Sequence, residues 1–167
     1  MILKLKQTPG IFLTGFMASG KTTIGKLLAE RIGWQFTDLD QDIETSEQAP
    51  IGAIFATQGE AEFRRIETEA LRWRIRKIRA GCAAVVALGG GTYAQPENAE
   101  LIEHSGVVLW LDCPFDIVER RVLRNGHRPL ARDPALLRQL YEDRQAAYSR
   151  APFHISVEDE NTEHSIE

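Results

Sequence analysis

The stretch GFMASGKTT (15–23) constrains this chain more than any other, because it contains Gly15-x-x-x-x-Gly20-Lys21-Thr22. GIFLTG (10–15) precedes it, a short apolar run that suits a buried strand. KTTIGKLLAERIG (21–33) follows, with Ile24, Leu27, Leu28 and Ile32 at helical spacing and Gly33 as a stop. Strand, glycine loop and helix in that order make a Walker A element. Its glycines let backbone N–H groups curl around phosphate oxygens, and the helix N-terminus adds a favourable field. Gly15, Ala18, Ser19, Gly20, Lys21, Thr22 and Thr23 are therefore candidate ligands of a nucleoside triphosphate, ATP in the simplest case. Lys21 would reach the β- and γ-phosphates, and Thr22 would offer its hydroxyl to Mg²⁺. The motif says little about the acceptor.

The remaining chain repeats the strand–helix alternation. WQFTD (34–38) reads as a strand, 38–58 as helix broken near Pro50, and 60–79 as a longer charged helix. CAAVVALGGG (82–91) is a continuous apolar run closed by three glycines, the pattern of a parallel strand covered on both faces. Residues 96–104 read as a short helix, GVVLWLD (106–112) as a buried strand, 114–123 and 134–149 as helices, and FHISV (153–157) as a last strand. The expected fold is an α/β three-layer αβα sandwich of the P-loop kinase type, with a mainly parallel five-stranded sheet. One domain over 1–157 fits the length of 167 residues. RNGHRPLARD (124–133) reads as a cationic loop, and the acidic tail 158–167 is expected to be disordered.

A net charge of −4 gives no reason to expect a nucleic-acid partner, although 15 of the 20 basic residues are arginine. Arginine is the side chain suited to forked grips on phosphate and carboxylate. Cys82 and Cys113 form no CxxC pair, and two reduced, buried thiols are expected. No apolar run approaches the ~20 residues of a membrane span, and the N-terminus lacks a leader pattern. The expectation is a cytoplasmic monomer.

TDLDQD (37–42) crowds Asp38, Asp40 and Asp42. Separated by two, Asp38 and Asp40 would share one face of an extended strand end. That face could point toward the phosphates, since ligands of open α/β sheets sit at the carboxyl ends of strands. Asp42 falls in the next helix's first turn, where the helix dipole favours a carboxylate without any functional role. Asp112, closing VVLWLD, is an alternative carboxylate for the metal.

Taken in order, GFMASGKTT, FTDLDQDIE (36–44), GEAEFRRIE (59–67), LGGG (88–91), RPLA (128–131) and DRQAAY (143–148) resemble shikimate kinase over nearly the whole chain. The resemblance implies ATP-dependent phosphorylation of the 3-hydroxyl of shikimate, with Mg²⁺. It implies that Asp40 orients or deprotonates the attacking hydroxyl. Arg64 and Arg144 would clamp the substrate carboxylate, while Gly89, Gly90 and Gly91 would bring backbone amides against substrate and phosphates. Arg128, on a mobile lid over about 124–133, would stabilise the transferring group, with Arg124 a further nucleotide contact. Asp38 would help Thr22 hold Mg²⁺. The chain departs from the usual pattern at Leu88, Asn125 and Ala131. The rivals are another polyol kinase, such as a gluconate kinase, and a domain that binds these ligands without turnover.

Overall fold

In the computed structural model, described over residues 10–124 and 133–157, five parallel strands stand in the order β2-β3-β1-β4-β5. They are β1 (Gly10–Thr14), β2 (Gln35–Asp38), β3 (Ala84–Ala87), β4 (Gly106–Asp112) and β5 (Phe153–Ser156). The helices are α1 (Lys21–Ile32), α2 (Leu39–Glu47), α3 (Ile51–Arg79), α4 (Pro96–Glu103), α5 (Phe115–Arg124) and α6 (Pro134–Tyr148). The lid residues 125–132, Arg128 among them, and the tail 158–167 lie outside the described residues.

The sheet is covered on both faces, as the apolar runs require. All four residues of β3 are buried. Successive strand side chains point to opposite faces. Phe12 and Val86 accordingly enter the larger core cluster, while Leu13 and Val85 join Ala29, Trp34 and Phe36 in the smaller one. Ile11, Phe12 and Leu13 pair with Val85, Val86 and Ala87, which aligns the carboxyl ends of β1 and β3. The loops after both strands therefore open at the same edge. β1 lies between β3 and β4, where the chain crosses from one half of the sheet to the other; this is the switch point at which α/β sheets leave a crevice.

Local signals explain the boundaries. Gly33, with φ 70°, ends α1 in the left-handed conformation that suits glycine. Pro96 and Pro134 each begin a helix, and the Asp133 side chain caps α6 by accepting from the Leu136 amide at 3.0 Å. The two helices read over 38–58 and 60–79 divide differently. The break at Pro50 separates α2 from α3, and α3 continues through a kink at Gly59 (φ 84°, ψ 172°). One expectation about packing fails. Cys82 is exposed and only Cys113 is buried. Trp73, 44% exposed, lies against Arg74 and Lys77 rather than in the core. It sits among the arginines and lysine of the outer face of α3, where cation–π contact substitutes for burial.

Candidate active site

A cleft of about 910 Å³ lies over the carboxyl ends of the central strands. Its walls include Met17, Ala18, Gly20, Lys21, Thr22, Thr23, Asp38, Asp40, Leu88, Gly90, Arg121 and Arg144. That volume falls within the ordinary range for small-molecule sites, about 300–1,000 Å³.

The glycine loop forms one wall. Gly20 caps α1 at φ 99°, which a side chain would resist, and Ala18 also takes a positive φ of 60°. A non-glycine residue held there costs of order 1 kcal/mol, so the surroundings must impose the turn. Lys21 curls back over the loop, its Nζ donating to the carbonyls of Gly15 and Phe16 at 2.8 Å each. The Ser19 hydroxyl is buried and accepts or donates no hydrogen bond among the described residues.

Asp38 and Asp40 meet the cleft differently from the sequence-based expectation. They do not share a strand face: Asp38 ends β2 and caps α2, and Asp40 lies in the first turn of that helix. One Asp38 oxygen accepts from the amides of Asp40 (3.1 Å) and Gln41 (3.4 Å), and the other accepts from the Thr22 hydroxyl at 3.0 Å. The strand ends at Asp38, where it was read to end, and Asp38 satisfies the first amides of α2, so Asp40 falls on the helix rather than on an extended strand. Both carboxylates still reach the cleft. Asp42, in the same turn, pairs with Arg74 and is structural.

Asp40 is the most perturbed group in the cleft. Burial foremost, then the negative charge of Asp38, raises its carboxyl from 3.8 to about 6; Lys21 opposes the rise, while Glu67 and Glu44 add to it. The group is therefore ionised above neutrality yet more basic than an ordinary aspartate.

Arg144 and Gly90 line the far side of the cleft, and Arg64 stands beside them against Gly91. The Arg64 Nη1 donates to Glu67 at 2.8 Å, and Glu60 lies 3.6 Å from its Nη2. Its Nε is buried without a partner among the described residues. Neighbouring Arg65 diverges to solvent and pairs with Glu62. A Cβ at Gly91 would stand 2.6 Å from the Arg64 guanidinium, one at Gly90 2.9 Å from Arg144, and one at Gly89 2.6 Å from Asp40. Three charged side chains thus close over the backbone of the triple glycine. Arg144 also lies 5.9 Å from the centre of the Phe16 ring.

Three residues escaped sequence reasoning. Glu67 is 1% exposed and takes hydrogen bonds from Arg64 and from the Thr92 hydroxyl (2.6 Å). Its position three residues after Arg64 was the available signal. Arg121 donates to the Ala18 carbonyl at 3.0 Å across the glycine loop, a contact that no local pattern reveals. Tyr148, one turn after Arg144, donates its buried hydroxyl to the Gly90 carbonyl. Arg124 ends α5 at the surface. Asp112 closes β4, its carbonyl accepting from Val157.

Among the described residues no three His, Cys, Asp or Glu side chains cluster as a metal cage. The Thr22–Asp38 pair at 3.0 Å is nonetheless a fit for Mg²⁺. That ion keeps several waters and is held by one or two protein oxygens together with substrate phosphates.

A family model described as shikimate kinase matches residues 17–167. A shikimate kinase of Persephonella marina is 40% identical over 149 residues, covering 89% of this chain and 88% of that protein. One from Synechococcus elongatus is 42% identical, covering 89% and 77%. The structure of shikimate kinase from Acinetobacter baumannii in complex with shikimate superposes with a TM-score of 0.85 at 34% identity, over 95% of this chain and 89% of that one. With its glycine loop, arginines and parallel sheet, this chain belongs to the shikimate kinase family.

Proposed function

We propose that the chain transfers the γ-phosphoryl group of ATP to the 3-hydroxyl of shikimate. The observation that carries this reading is that Asp40, Gly90 and Arg144 line one cleft with the phosphate loop, while Arg64 stands against the adjoining Gly91. Shikimate is a small carboxylate with three hydroxyls. It calls for guanidinium forks at one end and a hydroxyl acceptor at the other, and both are present within that cleft.

Arg64 and Arg144 bind the substrate carboxylate. The unpartnered Arg64 Nε and the forked geometry of both groups favour an anion there. Asp40 accepts the proton of the 3-hydroxyl as its oxygen attacks phosphorus, and its raised pKa suits a base working near neutrality. Gly15, Ala18, Ser19, Gly20 and Thr23 surround the polyphosphate. Lys21 exchanges its two loop carbonyls for the β- and γ-phosphate oxygens. Thr22 and Asp38 would hold Mg²⁺, Asp38 through water, and donation of the Thr22 proton to Asp38 leaves the hydroxyl lone pairs available. The ion would supply charge neutralisation at the phosphates. Phosphoryl transfer asks mainly for positioning and charge stabilisation, which Lys21 and, by family resemblance, Arg128 and Arg124 provide. A monomer is the simplest state for a chain of this size, and we assign it as such. No described helix is long and apolar enough to cross a membrane.

The product formed from Mg-ATP and shikimate tests the assignment. Phosphorus–proton correlation spectra should place the phosphate on the carbon-3 oxygen. Phosphate on another hydroxyl would overturn the orientation given to Asp40 and the arginines.

A further inference from the structure

We propose that Tyr148 is a positioning residue for the acceptor: its hydroxyl fixes the Gly90–Gly91 peptide so that the amides of the triple glycine face the substrate. The inference rests on the function proposed above and adds a residue that the arginine clamps do not account for.

Tyr148 is fully buried at the end of α6, four residues after Arg144, so the two side chains emerge on the same helical face. Trp110 packs beside its ring, with centroids 6.2 Å apart, which holds the phenol in place. The hydroxyl donates to the Gly90 carbonyl, and Arg144 Nη1 stands over the same glycine, 2.9 Å from where a Cβ would be. Burial pushes the phenol up to about 12, with Arg144 opposing, so it stays a neutral donor throughout the working pH range.

The geometry of the peptide bond converts this contact into a function. In a trans peptide the carbonyl of one residue and the N–H of the next point in opposite directions. Tying the Gly90 oxygen toward α6 directs the Gly91 N–H away from it. Neither the Gly90 nor the Gly91 amide has a hydrogen-bond acceptor among the described residues. Glycine peptides are otherwise free to flip, because no Cβ resists rotation. The Tyr148 hydroxyl removes that freedom before substrate arrives, and preorganised donors bind more tightly than donors that must be ordered on binding. The effect falls on the acceptor, because the nucleotide loop is built from a different segment.

The test is steady-state kinetics of Tyr148→Phe beside the unaltered enzyme, with circular dichroism to verify the fold. The ring still fills its buried space, and only the donor is lost. We expect the KM for shikimate to rise about tenfold, the usual consequence of stranding one buried acceptor, with the KM for ATP changed less than about twofold. Equal changes in both constants, or no change in either, would overturn the proposal. Absence of shikimate turnover in the unaltered enzyme would instead refute the function itself. Should the variant fail to fold, hydrogen exchange of residues 88–95 in the unaltered protein decides the matter. Slow exchange of the internally bonded Thr92, Ala94 and Gln95 amides without ligand, little changed by shikimate, supports a preset loop; free exchange of those amides that shikimate alone suppresses contradicts it.

Discussion

Asp40 keeps a negative charge where burial, Asp38, Glu67 and Glu44 oppose it and Lys21 alone among these groups favours it. Two consequences follow at the level of the single residue. In catalysis, kcat/KM for shikimate should fall as pH drops through about 6, with unit slope, as Asp40 takes up a proton. Asp40→Asn should lower kcat by at least about a hundredfold while the Kd for ATP, measured by calorimetry, stays within about twofold. Near-normal turnover would remove Asp40 from its role. In stability the sign is opposite to that of an ion-paired aspartate. A folded-state pKa of about 6 exceeds the ordinary 3.8, so between those values the native chain binds more protons and stability falls as pH rises. The penalty is complete above that window. Asp40→Asn should therefore be more stable at pH 7.5, by up to about 3 kcal/mol, and should show no advantage below about pH 3.8 in urea titrations. An inactive variant that is also more stable would identify a site where structure is strained for function.

Glu67 acts through Arg64 and poses a prediction on the boundary between residue and element. It accepts from the guanidinium and from Thr92, so it fixes the arginine on the helix and the helix on the glycine loop. Glu67→Gln keeps the shape but weakens a charge-assisted bond; the KM for shikimate should rise about five- to twentyfold, measured with ATP saturating. At the level of elements, β1 ties the site to the core. Phe12 is fully buried, and Phe12→Ala should cost about 3–5 kcal/mol, read as a lower urea midpoint with an unchanged slope. The elements were largely legible in the sequence because glycine, proline and aspartate mark their ends: Gly33, Pro96, Pro134 and the apolar strands all stand where the residues predict. The site was legible where a motif is contiguous, as in Gly15–Thr22 or Gly89–Gly91. It was not legible where a contact joins distant segments, as with Arg121 on Ala18, Tyr148 on Gly90, or Arg74 on Asp42. Asp38 and Asp40 show a third case. Alternation along a strand predicts a shared face, but the strand stops at Asp38, which caps the following helix and leaves Asp40 on that helix.

For the whole molecule, the parallel sheet brings four separate segments to one edge, and ligand should bind those segments to one another. The P-loop follows β1, Asp38 and Asp40 follow β2, the triple glycine follows β3, and Arg144 with Tyr148 reaches in from α6. Binding to the folded chain alone stabilises it by mass action. Mg-ATP at a hundred times its Kd should add about 2.7 kcal/mol, a rise in Tm of about 5–10 °C for a chain of this size. Lys21→Ala should abolish most of that rise, measured against the variant's own unliganded Tm. The claim on which the account depends is that this cleft presents the 3-hydroxyl of shikimate to ATP. It is tested most directly by ADP release with Mg-ATP in the presence of shikimate, of gluconate, and of no acceptor. The account predicts rapid release with shikimate and only background release in the other two. Turnover with gluconate alone would contradict the assignments of Asp40, Arg64 and Arg144, and no turnover with either despite measurable ATP binding would make the chain a ligand-binding domain.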